Sequence, residues 1–250
     1  MFAYLSGRTA CVAVLAVTVG LPSGWCRPHD VTPTFHESDY RFSTTERDAV
    51  QSIADAAAAD VRRLLPTLPR KLVMQVHAGT RVVPESGETG YSAQPNIVYW
   101  TVDPNRHGGV LAITQRQLRS SLFEFLYRLV RHQTVAGTTV IDEVVTDGMA
   151  IAFARDFGGS EPPWSKYSDD VADTVDGLLS LPPQAQRSYV RSSTRRWIWL
   201  QVGTYLADQA TRSSGLSLAQ LVIRPTEDVL RMAHVTDAAS DTLRTSPDRR

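Results

Sequence analysis

The spacing of apolar residues predicts a helix near the start of the folded part of the chain. Ser43 and Glu46 form a capping box, in which two side chains three residues apart satisfy free N–H groups at a helix start. Apolar residues then recur every three or four positions, as on one helical face: Val50, Ile53, Ala54, Ala57, Val61, Leu64 and Leu65. Pro66 and Pro69 follow this pattern, so we expect the helix to end before them.

Alternation of apolar and polar residues predicts two strands. The first covers residues 71–78 (KLVMQVHA), where every second residue is apolar, as in a half-buried strand. The second covers residues 96–102 (NIVYWTV). The stretch between them, residues 85–95 (ESGETGYSAQP), contains two glycines and a proline and is predicted to be a loop.

Helical patterns fill most of the remaining chain. Thr114 opens a second capping box and is predicted to begin the first of two central helices. Thr139 is predicted to cap the second, and Gly158 and Gly159 to end it. Further helices are expected at residues 168–181, 194–211, 216–222 and 227–233. A helix, two strands and a run of helices indicate an α+β fold with a small sheet on one side of a mainly helical body.

Residues 1–26 are predicted to be a targeting segment. Arg8 precedes an apolar run at residues 9–21, which has the length of a signal peptide and is short for a membrane span. We therefore expect an exported, extracytoplasmic protein that is secreted or anchored in a membrane by this segment alone. Cys26 raises the alternative of a lipoprotein, although Trp25 stands where Gly or Ala normally precedes a lipidated cysteine. An uncleaved anchor and a misplaced start codon are further alternatives.

Composition places the remainder in a single domain. The chain has 250 residues, of which 42% are hydrophobic, so it can bury a sizeable core. Its 26 basic and 26 acidic residues balance, which argues against a nucleic-acid partner. Residues 27–42 are polar and contain prolines, and they are predicted to be a linker or extended arm. We expect the domain at residues 43–235 and a disordered tail at residues 236–250.

The candidate chemistry lies on the two central helices. Phe123, Glu124 and Tyr127 form an F-E-x-x-Y pattern on the first, and Asp147 lies in a T-D-G-M-A sequence on the second. Residues four apart share one face of a helix, so two histidines at that spacing can bind one zinc ion. A catalytic zinc needs three protein ligands and an open position for water. Phe cannot bind zinc, and the Tyr phenol, with a pKa of about 10, is a poor ligand at neutral pH.

Residues 71–232 resemble a bacterial family of predicted zinc-dependent peptidases of the gluzincin type. In that family a strand region precedes a helix with H-E-x-x-H, and a helix with the second motif E-G-x-A follows. Residues 139–150 (TVIDEVVTDGMA) are similar to that second helix, residues 199–206 (WLQVGTYL) to its Gly-centred helix, and residues 216–230 to its closing segment.

The resemblance implies a zincin-like fold in which the metal-ligand positions have been replaced. It makes Glu124 the catalytic-base position, Asp147 the third-ligand position, and Phe123 and Tyr127 the two histidine positions. Neither aromatic residue can replace an imidazole, so no metal or other cofactor is expected. We interpret both as core residues. Glu124 is then free to hydrogen-bond Tyr127 or to pair with Arg128 four residues on.

No other catalytic site is evident from the sequence. The histidines form no pair at a metal-ligand spacing, and His132 is placed where a cation suits a helix C-terminus. There is no Gly-x-Ser-x-Gly nucleophile motif and no phosphate-binding glycine-rich loop.

Two hypotheses follow. The first is an inactive peptidase-like domain that binds an extended peptide or a protein by adding it as a strand beside residues 96–102, with contacts at Ile97, Tyr99 and Trp100. The second is an active metallopeptidase in which zinc is bound by Glu124, Asp147 and a distant histidine.

Overall fold

A computed structural model of the chain describes residues 30–38, 40–192 and 197–234. The predicted targeting segment at residues 1–26 and the predicted tail at residues 236–250 lie outside this range. Within it, no helix is both long and apolar enough to cross a membrane.

The described residues form one four-stranded mixed sheet. Its strands are β1 (Val31–His36), β2 (Leu72–Ala78), β3 (Glu88–Gln94) and β4 (Ile97–Val102). Their order across the sheet is β1-β2-β4-β3. β1 and β4 run parallel to β2, whereas β3 runs antiparallel to β4. The two edges of the sheet are therefore β1 and β3.

Two of these strands were not predicted from the sequence. Residues 27–42, predicted to be a linker or extended arm, include Val31–His36, which pair along the whole length of β1 with β2. Pro33 disguised this strand, although an edge strand tolerates proline because one of its sides needs no ladder hydrogen bonds. The predicted loop at residues 85–95 contains β3. The strands predicted at residues 71–78 and 96–102 are confirmed as β2 and β4.

The first helix, α1 (Thr44–Leu64), begins as predicted. Ser43 Oγ accepts from the N–H of Glu46, and the Glu46 carboxylate accepts from the N–H of Ser43. The buried face carries the predicted apolar stripe, with Val50, Ala54 and Val61 fully enclosed. This face packs on α3 and on β1.

The first central helix begins earlier than predicted. α2 (Gly109–Ile113) continues through a π-helical turn (Thr114–Leu118) into α3 (Arg119–Thr134). Thr114 therefore lies inside the helical run, and its hydroxyl donates to the Val110 carbonyl oxygen. The capping-box pattern at this position is a coincidence of sequence, because no free helix end exists there.

The second central helix, α4 (Val140–Phe153), has the predicted ends. Thr139 forms a capping box with Asp142. A π-helical turn (Ala154–Gly158) extends the helix, and Gly159 ends it with a φ of 83°, a left-handed conformation that glycine adopts without strain.

The remaining helices cover the far side of α4. They are α5 (Val171–Leu179), α6 (Pro183–Ser192), α7 (Ile198–Ser214), α8 (Leu218–Leu221) and α9 (Thr226–Met232). α6 was not predicted, and the others fall within the predicted ranges or near their ends. The α+β fold with a small sheet on a mainly helical body is confirmed.

α4 and α7 cross in backbone contact. A Cβ atom added to Gly148 would lie 1.8 Å from the carbonyl carbon of Gly203. A Cβ atom on Gly203 would lie 2.1 Å from the Val144 carbonyl oxygen. Only two glycines at the crossing point let the helices approach this closely. The glycine of the T-D-G-M-A sequence is therefore a packing residue.

The sheet contributes one of its faces to the hydrophobic core. On β2 and β4 the alternate residues that point to α1 and α3 are buried: Leu72, Met74, Val76, Val98, Trp100 and Val102. The residues between them are only partly buried. β3 packs closely against α3. A Cβ atom added to Gly90 would lie 2.7 Å from the Phe125 ring, so this position has no space for a side chain.

Candidate peptide-binding cleft

Arg128 links the two central helices at the centre of the candidate site. Its Nε donates to Asp147 Oδ1 on α4 at 2.7 Å, and its Nη1 donates to Glu124 Oε1 one turn back on α3 at 2.5 Å. Burial would lower the pKa of Arg128, but the two carboxylates outweigh this effect and raise it. The guanidinium therefore stays charged and is shared by both carboxylates. The predicted pairing of Glu124 with Arg128 is confirmed, and Asp147 bridges to the same group.

Phe123 and Tyr127 lie on a different side of α3, inside the core. Their exposed fractions are 1% and 0%. Both rings contact Phe153 at the end of α4, with centroid distances of 5.8 Å and 4.9 Å. Tyr127 Oη donates to the Leu218 carbonyl oxygen at 2.9 Å, and not to Glu124. The interpretation of these residues as core aromatics is confirmed.

Glu88 is a buried carboxyl group on the edge strand beside these helices. Trp100 Nε1 donates to Glu88 Oε2 at 2.7 Å. Burial, assisted by the negative charge of Glu124 on α3, raises the pKa of Glu88 to about 7, against the lowering effect of hydrogen bonds from Trp100, Ser121 and Ser86. Glu88 can therefore change its charge near neutral pH. No sequence signal marks this residue, because it lies in a glycine-containing stretch that lacks a strand pattern.

A cleft runs between β3 and α3, and we refer to it as the β3–α3 cleft. Its walls include Glu88 and Gly90 of β3, Ser121 and Glu124 of α3, and the two indole rings of Trp164 and Trp197. Its volume is about 110 Å³. Sites for whole small molecules typically measure roughly 300–1,000 Å³. The cleft therefore has room for one side chain.

The outer edge of β3 is open beside this cleft. The Gly87 carbonyl oxygen accepts from the Asp103 N–H towards β4, whereas the Glu88 carbonyl oxygen accepts from the Val83 N–H on the opposite side. Hydrogen-bonding direction alternates along an antiparallel strand, so the N–H and C=O groups of Gly90 and Ser92 also point away from β4. In the described part of the chain, no strand pairs with this edge beyond the single bridge at Val83.

The predicted binding strand has no free edge. β4 is paired with β2 on one side and with β3 on the other, so residues 96–102 cannot accept an added strand. Trp100 is fully buried in the core, and Tyr99 stacks on Tyr91 on the opposite face of the sheet, at 4.8 Å. Ile97 pairs with Gln94 of β3 and with Val73 of β2. The prediction that a peptide adds as a strand beside Ile97, Tyr99 and Trp100 is therefore wrong.

The residues at the site do not fit a zinc ion. Among residues 30–38, 40–192 and 197–234, no group of three or more His, Cys, Asp or Glu side chains could hold a metal. The two carboxylates that bond to Arg128 already share its positive charge.

His132 lies one turn beyond Arg128 on α3, where burial and the Arg128 charge lower its pKa. A lower pKa disfavours the charged imidazole, so it opposes the predicted role of His132 as a cation at the helix C-terminus.

Comparisons of the chain with protein-family models, with curated proteins and with solved structures found no match.

Proposed function

We propose that the chain is a zinc-peptidase-like domain that binds an extended peptide or protein segment without hydrolysing it. The observation that carries this proposal is the position of Arg128, whose guanidinium bonds to Glu124 at 2.5 Å and to Asp147 at 2.7 Å. A cation fixed between the two carboxylates takes the place that a metal would need.

The same contact supports a different register for the resemblance to zinc peptidases. Asp147 faces Glu124 and Arg128, which are four residues apart, and not Phe123 and Tyr127. On the proposed register, Glu124 and Arg128 stand at the two histidine positions, and Phe125 stands at the catalytic-base position. Glu124 then has no role as a base, and hydrolysis has no residue to activate water.

The open edge of β3 supports peptide binding. An extended peptide can hydrogen-bond to the outward N–H and C=O groups of Gly90 and Ser92 and so continue the sheet. One of its side chains would then enter the β3–α3 cleft. Backbone pairing provides general affinity, and the cleft provides selectivity for a side chain.

The proposal is tested with a set of seven-residue peptides, acetylated and amidated, that alternate Thr and Val and carry Arg, Lys, Gln or Glu at the central position. Binding to the full-length chain is measured by isothermal titration calorimetry. We expect at least one peptide to bind, and we expect Ser92→Pro to weaken it about ten-fold or more, because proline removes an outward N–H. Ser92→Ala keeps that N–H and is the matched control. Absence of binding by every peptide would overturn the proposal.

Metal content separates this proposal from an active metallopeptidase that uses Glu124, Asp147 and a histidine. Mass spectrometry of the full-length chain, purified without a histidine tag, should find no stoichiometric zinc. About one zinc ion per chain, lost together with peptidase activity in Asp147→Asn, would establish the enzyme instead.

Export remains part of the proposal on the basis of the sequence of residues 1–26. N-terminal sequencing of the protein from the culture medium and from the membrane fraction tests it. Protein found only in the cytoplasm, with an intact Met1, would contradict it.

A further inference from the structure

Two carboxyl groups line the β3–α3 cleft. Glu88 and Glu124 line it, and none of the described residues that line it is Lys, Arg or His. Arg128, one turn along α3, is already bonded to Glu124 and Asp147. The hydrogen-bond partners of Glu88 are Trp100, Ser121 and Ser86, so ionisation of Glu88 adds a negative charge that none of the described lining residues balances.

Two tryptophan side chains line the same cleft. Trp164 and Trp197 have ring centroids 5.0 Å apart and an interplanar angle of 48°. Both indoles line the cleft and are only partly buried. The face of a tryptophan ring attracts cations more strongly than that of any other side chain. Carboxylates and indole rings that line one cleft form a site with the chemistry to hold a positive group.

We propose that the β3–α3 cleft binds one cationic group, a guanidinium or a primary ammonium, of the peptide that pairs with β3. The inference rests on the proposed function, because the peptide backbone must first be placed along β3. It goes beyond that function by naming the class of ligand, a basic side chain or a free amino terminus. The volume of about 110 Å³ limits the site to a single such group.

Glu88 gives this site a pH dependence that supports the assignment. Its buried carboxyl group faces Glu124 and Ser121 of α3, Trp100 of β4 and Ser86 of the preceding turn. A bound cation favours the ionised form of Glu88. Because the pKa of Glu88 is about 7 without a ligand, affinity for a cation should rise between pH 6 and pH 8.

The peptide set described above tests the inference at pH 8, on the full-length chain. We expect the Arg or Lys peptide to bind about ten-fold tighter than the Gln peptide, and the Glu peptide to bind most weakly. Glu88→Gln should remove most of this preference, since the amide can still accept from Trp100 but carries no charge. Glu143→Gln, which neutralises an exposed carboxylate outside the cleft, is the matched control and should keep the preference.

A Gln peptide with a free amino terminus distinguishes the two sources of the cation. Tight binding of this peptide would assign the site to an amino terminus, whereas tight binding of only the acetylated Arg and Lys peptides would assign it to a basic side chain. Equal binding of all central residues, with no tighter binding of the peptide that has a free amino terminus, would overturn the cation site and leave the peptide-binding function standing. If Glu88→Gln does not fold, the wild-type protein still decides the question: the cationic peptide that binds most tightly must gain affinity relative to the acetylated Gln peptide from pH 6 to pH 8, and no such gain contradicts the inference.

Discussion

Arg128 Nε lies 2.7 Å from Asp147 Oδ1, so the face of α3 that carries Glu124 and Arg128 is the one that meets α4 at the candidate site. Phe123 and Tyr127, which the sequence resemblance aligns with zinc ligands, contact Phe153 in the core. A metal site built on α3 should therefore form at positions 124 and 128, and not one residue earlier at positions 123 and 127.

We predict that the double variant Glu124→His, Arg128→His will bind zinc. The two imidazoles would share one helical face with Asp147 opposite, which supplies three protein ligands. Zinc binding is measured by calorimetry, and geometry by the visible spectrum of the cobalt(II) form. A tetrahedral cobalt spectrum that disappears on adding Asp147→Asn would confirm all three ligands.

The comparison variant is Phe123→His, Tyr127→His. It places both imidazoles among buried aromatic side chains and removes the hydrogen bond to Leu218, so we expect it to be destabilised and to bind no zinc. Zinc binding by this variant, and not by Glu124→His, Arg128→His, would show that Phe123 and Tyr127 stand at the two histidine positions.

The contact between Gly148 and Gly203 predicts a large packing defect when either glycine is replaced. Gly148→Ala would place a Cβ 1.8 Å from the Gly203 backbone, so α4 and α7 must move apart. We expect the free energy of unfolding to fall by about 3 kcal/mol. Urea denaturation followed by circular dichroism measures this loss.

Gly177→Ala on α5 is the matched control for that substitution. The nearest atom to its added Cβ would be Tyr189 Oη at 3.6 Å, an ordinary contact. Removal of a helical glycine should then leave stability unchanged or raise it by up to about 1 kcal/mol. Equal losses in both variants would show that the α4–α7 crossing is less restrictive than its geometry indicates.

Glu88 predicts a stability that decreases as the pH rises towards neutrality. The pKa of this carboxyl group is about 7 in the folded protein and near 4.5 in the unfolded chain. Between those values the folded state holds a proton that the unfolded state has lost, so folding becomes less favourable with increasing pH. The contribution of Glu88 is fully present below pH 4.5 and is lost by about pH 7.

Glu88→Gln isolates this effect from other titrating groups. The stability of the wild-type protein relative to the variant should fall between pH 5 and pH 8, by about 3 kcal/mol if Glu88 is fully responsible. Denaturant midpoints of both proteins at pH 5, 6, 7 and 8 provide the measurement. A constant difference across this range would mean that Glu88 is ionised throughout.

The sequence predicted those elements whose signals are local. The capping boxes at Ser43 and Thr139, the apolar stripe of α1 and the alternation in β2 depend on residues within one or two turns, and the structure has all of them. β1 contains a proline and pairs with β2, which follows only after α1. β3 pairs with its sequence neighbour β4, but a glycine and an irregularity after Ser92 interrupt its strand pattern. Only the assembled sheet shows that these segments are strands.

Only part of the candidate site could be predicted from the sequence, because the rest depends on how separate elements pack together. The sequence located Glu124 and Asp147 on two successive helices and gave the pairing of Glu124 with Arg128. Which face of α3 meets Asp147 is set by the packing of α3 against α4, and neighbouring faces of a helix differ by a single residue. Glu88 comes to the site from β3, whose position depends on the whole sheet.

The order of the strands separates the chain's N-terminal connection from the edge at which we propose peptide binding. β1, which continues directly from the N-terminal residues, lies at one edge of the sheet, and β3 lies at the other. Three strand spacings separate them, or about 14 Å. A tether attached through the N-terminal residues would therefore join the domain at the edge remote from the cleft, and β3 could remain accessible to a peptide while the domain was held at a surface.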